Sequence, residues 1–245
     1  MKRGAWIALF AVVAFAAILL ARMPAAWVIP AGGSARGACA SVEGTLWSGV
    51  CSGLRVQGTP VGDFSWELYP MRLLYGRLAG HVAATRAANA VSADVELGLG
   101  QRATLRHVKA DLALDPALIP GLPATLHGRA TLDLELVRIE HGVITQLKGR
   151  IEAHDLEDRA GLATPLGSYV LTFPEAKGEP TGKLRDLDGP LAVEGSLRLT
   201  PQPGYELEGL VAPRRGAPPE IVSSLPFLGA PDATGRRPFS VVGTF

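Results

Sequence analysis

The chain has 245 residues and carries 24 lysines and arginines against 23 aspartates and glutamates, which gives a formal net charge of +1. A charge this close to zero provides no electrostatic basis for binding nucleic acid or a strongly acidic partner. The hydrophobic share of 47% excludes a disordered chain, and the 29 glycines and 19 prolines favour many short strands with tight turns over a helical bundle.

The first 22 residues have the pattern of a membrane anchor. Lys2 and Arg3 precede an uncharged, largely apolar run over residues 4–21, and Arg22 closes it. At about 1.5 Å per residue the run nearly crosses a hydrocarbon core of about 30 Å. We therefore expect a single transmembrane helix over residues 1–22, with its basic front end in the cytoplasm. A cleaved signal peptide is the alternative, although no small-residue cleavage site directly follows the run.

Two further regions follow the predicted anchor. Residues 23–37 are predicted to be a connector without regular structure, because prolines and glycines interrupt it. Within it, Trp27 is expected at the membrane interface. Residues 38–245 are predicted to form one β-rich domain.

Cys39 and Cys51 are the only cysteines of the chain. They close a loop of about a dozen residues, which a disulfide spans without strain, and such a bond stabilises a fold by about 3 kcal/mol. Two unrelated buried thiols are the alternative. A close pair in a chain that otherwise avoids cysteine favours an oxidising compartment, which in a bacterium is the periplasm.

Two turn signals lie between the cysteines, at residues 43–45 and 47–49, and a strand follows them. One face of this strand is apolar, with Phe64, Trp66 and Leu68. Pro70 ends the strand, residues 70–75 are predicted as one helical turn, and a strand resumes over residues 76–84. Trp47 and Trp66 are interpreted as aromatic residues that pack in the core or on the sheet. A role in binding a partner is the alternative.

Alternation of apolar and polar residues becomes clear from residue 91. Apolar residues occupy odd positions over residues 91–105 and even positions over residues 108–114, so the phase slips near His107 and predicts a bulge or a strand end. Residues 115–123 are predicted as a short helical turn and a corner.

A hairpin is predicted next, with strands over residues 126–136 and 143–153 joined by a turn at residues 140–142. Residues 155–168 are predicted to be an irregular connection. Asp155, Glu157 and Asp158 would give this loop its charge.

A second hairpin is predicted to pair residues 191–199 with residues 205–211, and its strands resemble those of the first in carrying a central glycine, which suggests a weak internal repeat. Residues 219–228 are predicted as a turn or two of helix, and residues 239–245 as a final strand. The fold class is therefore mainly β, an antiparallel curved sheet or sandwich with a few short helical turns. Its apolar face requires another sheet or a ligand to cover it.

Candidate chemistry is sparse. No histidine lies three to five residues from another, and no free cysteine pair could complete a zinc site; the five are His81, His107, His127, His141 and His154. Residues 98–103 match a dinucleotide fingerprint, but no crossover helix follows, so a hairpin turn is the better interpretation. We predict no catalytic residues, no cofactor and no metal.

Several stretches match one known family in order and spacing. After the N-terminal run they are Pro24-Ala-Ala-Trp27, Gly44-Thr-Leu-Trp-Ser-Gly49, Phe64-Ser-Trp-Glu-Leu68, Ala217-Pro-Pro-Glu-Ile-Val222 and Gly235-Arg-Arg-Pro-Phe239. Over essentially its whole length the chain resembles the type II secretion system protein N family.

The resemblance implies a function without catalysis. Members of that family are accessory or structural components that assist export of folded proteins across the outer membrane. It implies an inner-membrane anchor, a periplasmic body and contact with other secretion subunits, either the inner-membrane platform or the secretin. The family is also similar in design to AsmA-like proteins, so a periplasmic lipid-binding or lipid-transfer module is the alternative.

Overall fold

The computed structural model describes residues 10–12, 14–15, 18–27, 38–56, 59–114, 124–160, 164–174, 178–201 and 204–244. The chain forms two compact units, residues 1–87 and residues 88–245. The described residues contain thirteen strands. Their other regular structure consists almost entirely of short helical turns. This confirms the predicted mainly β class.

The N-terminal residues that are described are helical at 10–12, 14–15 and 18–21. At the end of this segment the Arg22 amide donates to the Ile18 carbonyl at 3.0 Å. Among the described residues, no helix combines the length and the apolar character that crossing a bilayer requires. The predicted anchor falls partly outside these residues and stays a prediction.

The first unit contains a four-stranded antiparallel sheet. Its strands are β1 (Ser41–Gly44), β2 (Ser48–Val56), β3 (Thr59–Leu68) and β4 (Leu78–Arg86). Each strand pairs with the next, so that Gly44 lies opposite Gly49, and Gly49 opposite Trp66. A 3-10 helix over Pro70–Tyr75 joins β3 to β4, which confirms the predicted turn. A second 3-10 helix, Ala25–Trp27, lies in the connector that was expected to lack regular structure.

The second unit contains nine strands, each antiparallel to its neighbour in the chain. They are β5 (Asn89–Gly98), β6 (Arg102–Ala113), β7 (Leu126–Glu140), β8 (Val143–Asp158), β9 (Thr164–Phe173), β10 (Thr181–Asp188), β11 (Leu191–Thr200), β12 (Gly204–Pro213) and β13 (Arg237–Thr244). Helix α1 (Pro219–Ser224) and a 3-10 helix over Leu225–Leu228 precede β13. The predicted second hairpin, the short helix and the final strand are therefore confirmed.

The phase slip at His107 is a bulge. Ser92 pairs with Lys109 and Asp94 with Arg106, so two residues of β6 face one residue of β5. His107 itself has a positive φ of 48°, and its Nδ1 lies 2.9 Å from Asp94 Oδ2. The extra residue moves the apolar side chains from odd to even positions without ending the strand.

Two of the predicted turns, at residues 98–103 and 140–142, are present. Glu140 pairs with Val143 across His141 and Gly142, whose φ angles of 52° and 82° are those of the type I′ turn that suits two-residue hairpins. Gly98 pairs with Arg102, so the stretch that matched a dinucleotide fingerprint is a hairpin turn between β5 and β6.

The predicted irregular connection over residues 155–168 is wrong. Strand β8 continues to Asp158 and β9 begins at Thr164, so the carboxylates assigned to a charged loop lie in a strand. Register shifts follow Ala153 and Leu156, and Asp155 has a φ of 50°. These bulges break the apolar alternation while strand pairing continues. The predicted corner at residues 115–123 lies outside the described residues.

Two apolar clusters form the core of the second unit. The larger centres on Phe173, which is 2% exposed, and also contains Leu134, Val137, Leu147 and Leu199. The smaller joins Val193 of β11, Val211 of β12 and Leu225 of the 3-10 helix. The sequence analysis predicted that another element covers the apolar sheet face. At β11 and β12 the 3-10 helix that carries Leu225 covers part of that face.

Candidate functional site

The turn between β1 and β2 holds the N-terminal segment against the first sheet. Leu46 donates its amide to the Met23 carbonyl at 2.9 Å, and Trp47 donates its indole Nε1–H to the Leu20 carbonyl at 2.8 Å. Pro24 and Thr45 form an antiparallel bridge. We call residues 44–49 the clasp, because its backbone and its indole both contact the segment that leaves the N-terminal helix.

The clasp is stiffened from within by Thr45. Its hydroxyl Oγ1 accepts from the Trp47 amide at 3.3 Å and from the Ser48 amide at 3.2 Å, while its own amide donates to the Ser48 carbonyl at 2.8 Å. Local hydrogen bonds of this kind fix a turn without help from the core. The backbone that carries the Trp47 side chain is therefore fixed.

Behind the clasp lies the core of the first unit. Ala25 is fully buried there and packs with Cys39, Cys51 and Trp66. The Trp66 ring is stacked on Phe64 at a centroid distance of 6.1 Å, and its Nε1–H donates to the Leu46 carbonyl at 3.1 Å. One tryptophan thus supports the clasp from inside the sheet while the other reaches out to the N-terminal segment.

Cys39 and Cys51 form a disulfide, with an S–S distance of 1.99 Å and a Cα–Cα distance of 5.5 Å. The bond fits the expected pairing. Cys51 lies in β2 and is 2% exposed, and Cys39 precedes β1. The disulfide therefore ties the chain that enters the sheet to its second strand, directly beside Ala25 and Trp66.

The structure brings three of the four singled-out residues into one cluster. Cys39, Cys51 and Trp66 share it, and Trp47 is joined to the same sheet through its carbonyl, which accepts from the Leu68 amide at 2.6 Å. Sequence reasoning missed Leu20 and Met23. Both act through backbone carbonyls, which no side-chain pattern reveals. The available signal in the sequence was the family-matching stretch Pro24-Ala-Ala-Trp27, which directly follows Met23.

The polar side chains of the second unit form structural contacts. The buried Ser168 hydroxyl accepts from the Asp155 amide at 3.3 Å, and Asp186 accepts from the Val193 amide at 2.7 Å and pairs with Arg214. The Tyr169 hydroxyl donates to a backbone carbonyl at 2.8 Å. Burial, with the Asp186 charge adding to it, raises the pKa of Tyr169 above its usual 10.0.

The described residues give no support to a metal centre. They contain no group of three or more His, Cys, Asp or Glu placed to hold a metal ion. His107 lies 2.9 Å from Asp94, and His154 lies 3.0 Å from Glu152, which also pairs with Arg150.

A shallow open groove of about 720 Å³ lies on β11, β12 and β13. Its apolar lining includes Leu210, Leu228 and Phe239, and its polar lining includes Glu194 and Glu208. This groove is a concave surface that bears on the lipid-binding alternative.

These features define an antiparallel β-sheet protein whose N-terminal segment is fastened to its first sheet by a tryptophan-bearing turn and a disulfide. The family model described as "Type II secretion system (T2SS), protein N" matches residues 35–240. The chain belongs to this family, as its sequence resemblance indicated.

Two relatives carry the name "Type II secretion system protein N". The protein of Vibrio cholerae is 27% identical over 210 residues, which cover 82% of each chain. The protein of Aeromonas hydrophila is 28% identical over 262 residues, which cover 99% of each chain. No solved structure gives a significant match to the chain.

Proposed function

We propose that this protein is a non-catalytic accessory component of the type II protein secretion system. The observation that carries the proposal is its family membership, since the match extends over residues 35–240 and includes both units. The contacts around the clasp suit a structural role, because they fix backbone position and present no reactive group.

We further propose that the N-terminal helix anchors the chain in the bacterial inner membrane and that the sheets lie in the periplasm. The helical residues that are described include exposed apolar side chains, such as Phe10, Phe15 and Ile18 at 59–75% exposure. A bilayer would remove such side chains from water. The Cys39–Cys51 disulfide supports an oxidising compartment for the sheet that carries it.

In this arrangement the clasp has a mechanical function. The hydrogen bonds from Leu46 to Met23 and from Trp47 to Leu20 join the end of the anchor to the sheet within a few residues of the bilayer. The first sheet is then held at a fixed height and orientation at the membrane surface. Such positioning suits a subunit that presents its strands to the inner-membrane platform or to the secretin.

Photocrosslinking in cells tests this proposal. A photoreactive amino acid is placed at exposed strand positions, for example Lys109, Asp133 and Arg185, in bacteria that carry a type II secretion system and express the chain. We expect capture of a platform or secretin subunit. If no position captures a secretion subunit, and cells lacking the chain secrete normally, the proposal is wrong.

A lipid-binding module is the second candidate function, and the groove on β11–β13 favours it. Leu210, Leu228 and Phe239 could contact an acyl chain, whereas Glu194 and Glu208 would repel an anionic headgroup. Delipidated protein is titrated with a fluorescent fatty acyl probe. Saturable binding that Leu228→Asp abolishes supports this function, and the matched control is Leu99→Asp, which is exposed on another hairpin.

A further inference from the structure

The 3-10 helix between β3 and β4 displays apolar side chains to solvent. None of the residues in Pro70–Tyr75 is buried. Met71, Leu74 and Tyr75 are 70–79% exposed, and Tyr69 and Leu73 are 44–45% exposed. Single exposed apolar residues are ordinary, but five within seven consecutive positions form a patch that needs a partner. We call residues 69–75 the exposed turn.

Hydrogen bonds hold the exposed turn in one shape. The Tyr69 amide donates to the Ala79 carbonyl at 2.7 Å, and the Arg77 amide donates to the Arg72 carbonyl at 3.2 Å. Gly76 caps the helix with a left-handed backbone, and its amide donates to the Leu73 carbonyl at 2.9 Å. The apolar side chains are therefore preorganised outside the core, so a partner has little backbone to order when it binds.

The exposed turn lies beside the end of the N-terminal helix. The Leu20 carbonyl accepts from the Trp47 indole, and the Trp47 carbonyl accepts from the Leu68 amide. Leu68 is the last residue of β3 and directly precedes the exposed turn. A single residue, Trp47, thus joins the exit of the helix to the base of the turn.

The composition around the turn matches a membrane interface. Tyrosine has an apolar body and a polar tip, and it is enriched where a bilayer meets water. Residues 68–93 contain no aspartate or glutamate, whereas Arg72, Arg77 and Arg86 fall within them. Arginine extends its aliphatic stem over apolar surface and binds lipid phosphate groups through its guanidinium. Apolar residues flanked by positive charge are the chemistry that binds an anionic bilayer surface.

We infer that the exposed turn inserts into the periplasmic surface of the inner membrane as a second, interfacial contact beside the anchor. Met71, Leu74 and Tyr75 enter the boundary between headgroups and acyl chains, and Arg72 contacts lipid phosphates. Two contacts on one rigid sheet prevent it from rotating about the helix. This inference rests on the proposed membrane anchor for the position of the turn.

Depth-dependent fluorescence quenching tests the inference on the full chain. Leu74→Cys is labelled with a fluorophore and reconstituted in vesicles of phosphatidylethanolamine and phosphatidylglycerol that contain nitroxide-bearing lipids. Tyr75→Cys provides a second labelled site, and Leu99→Cys, which is 82% exposed on the β5–β6 hairpin, is the matched control. Resistance of the protein to alkaline extraction, measured on the same vesicles, reports the anchor separately.

We expect nitroxides near the headgroups to quench labels at 74 and 75 several-fold more than the label at 99. Arg72→Gln should lower the equilibrium constant between the membrane-inserted and the free turn about fivefold, as expected for one arginine at an anionic surface. Vesicles of phosphatidylcholine alone should lower this equilibrium constant as well, and added inorganic phosphate should leave it unchanged.

If the protein resists extraction but labels at 74 and 75 are no more quenched than the label at 99, the inference is wrong and the anchor stands. If the protein is extracted while both labels are quenched, the anchor is wrong and the interfacial contact stands.

Discussion

Gly49 lies in the first sheet at a position with no room for a side chain. A Cβ built at this position would lie 2.5 Å from the Trp66 ring and 2.5 Å from the Glu43 carbonyl oxygen. The carbonyl belongs to the paired strand and cannot rotate away, so Gly49→Ala should force β1 and β2 apart. We expect the free energy of unfolding of the first unit to fall by about 1–3 kcal/mol.

Thermal unfolding followed by tryptophan fluorescence measures this change. All four tryptophans of the chain fall within residues 1–87, so the signal reports the first unit. Gly98→Ala, at the end of β5, is the matched control, because its Cβ would be 3.9 Å from the nearest atom. Its midpoint, followed by circular dichroism, should stay close to that of the parent protein. An unchanged midpoint for Gly49→Ala would show that the sheet accommodates the methyl group.

Tyr169 makes the stability of the second unit depend on pH in alkaline solution. Burial raises the pKa of Tyr169, so the folded chain keeps the phenol proton to a higher pH than the unfolded chain does. The resulting stabilisation is complete below the usual value of 10.0 and is lost as pH rises above it through the raised pKa. We expect Tyr169→Phe to reduce the slope of unfolding midpoint against pH above about pH 10.

The comparison of slopes separates titration from lost packing. Tyr169→Phe also removes the hydrogen bond to the Leu166 carbonyl, which should lower stability by about 1 kcal/mol in neutral solution. That loss shifts the whole curve and leaves its slope unchanged. Parallel curves for parent and variant over about pH 9 to about pH 11 would contradict the assigned role.

Of the contacts between the clasp and the N-terminal segment, the indole hydrogen bond of Trp47 is one that a side-chain substitution can remove. Trp47→Phe keeps an aromatic ring but removes the indole donor, so the Leu20 carbonyl keeps only the Met23 amide at 3.4 Å. We expect the end of the N-terminal helix to open about fivefold more often, since a hydrogen bond contributes about 1 kcal/mol. Arg22 lies two residues beyond Leu20, so tryptic cleavage after Arg22 should accelerate by a similar factor.

Trp27→Phe is the matched control for this measurement. Trp27 lies in the same segment but is 78% exposed. Its replacement should leave the cleavage rate after Arg22 unchanged. Equal rates in both variants would mean that the backbone bridge between Pro24 and Thr45 holds the segment without the indole.

Sequence reasoning recovered the elements whose pattern is local. The β7–β8 and β11–β12 hairpins could be predicted because apolar alternation coincides with a turn signal in the sequence of each. Strand β10 escaped prediction because Gly182 occupies a position where an apolar side chain would complete the pattern. A Cβ there would be 2.8 Å from the Phe173 ring, so the ring fills the space and the glycine carries no signal.

The candidate site could be predicted only from its side chains. The cysteines and Trp66 were found because their residue types are rare and suited to packing. The partners of the clasp are carbonyls of Leu20 and Met23, and any residue type supplies a carbonyl. The exposed turn was predicted as a helical turn, but its exposure depends on how β3 and β4 place it, which local pattern does not specify.

At the scale of the whole molecule, the disulfide should act on one unit alone. Cys39 and Cys51 are separated by 12 residues, both within the first unit, and a loop of this length contributes about 3 kcal/mol by restricting the unfolded chain. A variant with Cys39→Ser and Cys51→Ser should therefore unfold at a lower temperature by tryptophan fluorescence. The transition of the nine-stranded second unit, followed by circular dichroism, should keep its midpoint.

Reductant should reproduce the shift in the parent protein and have no effect on the variant. If both midpoints fall together, the two units unfold as one cooperative body. In a two-state transition a local loss of stability lowers the free energy of unfolding of the whole domain, so the disulfide would then stabilise all thirteen described strands.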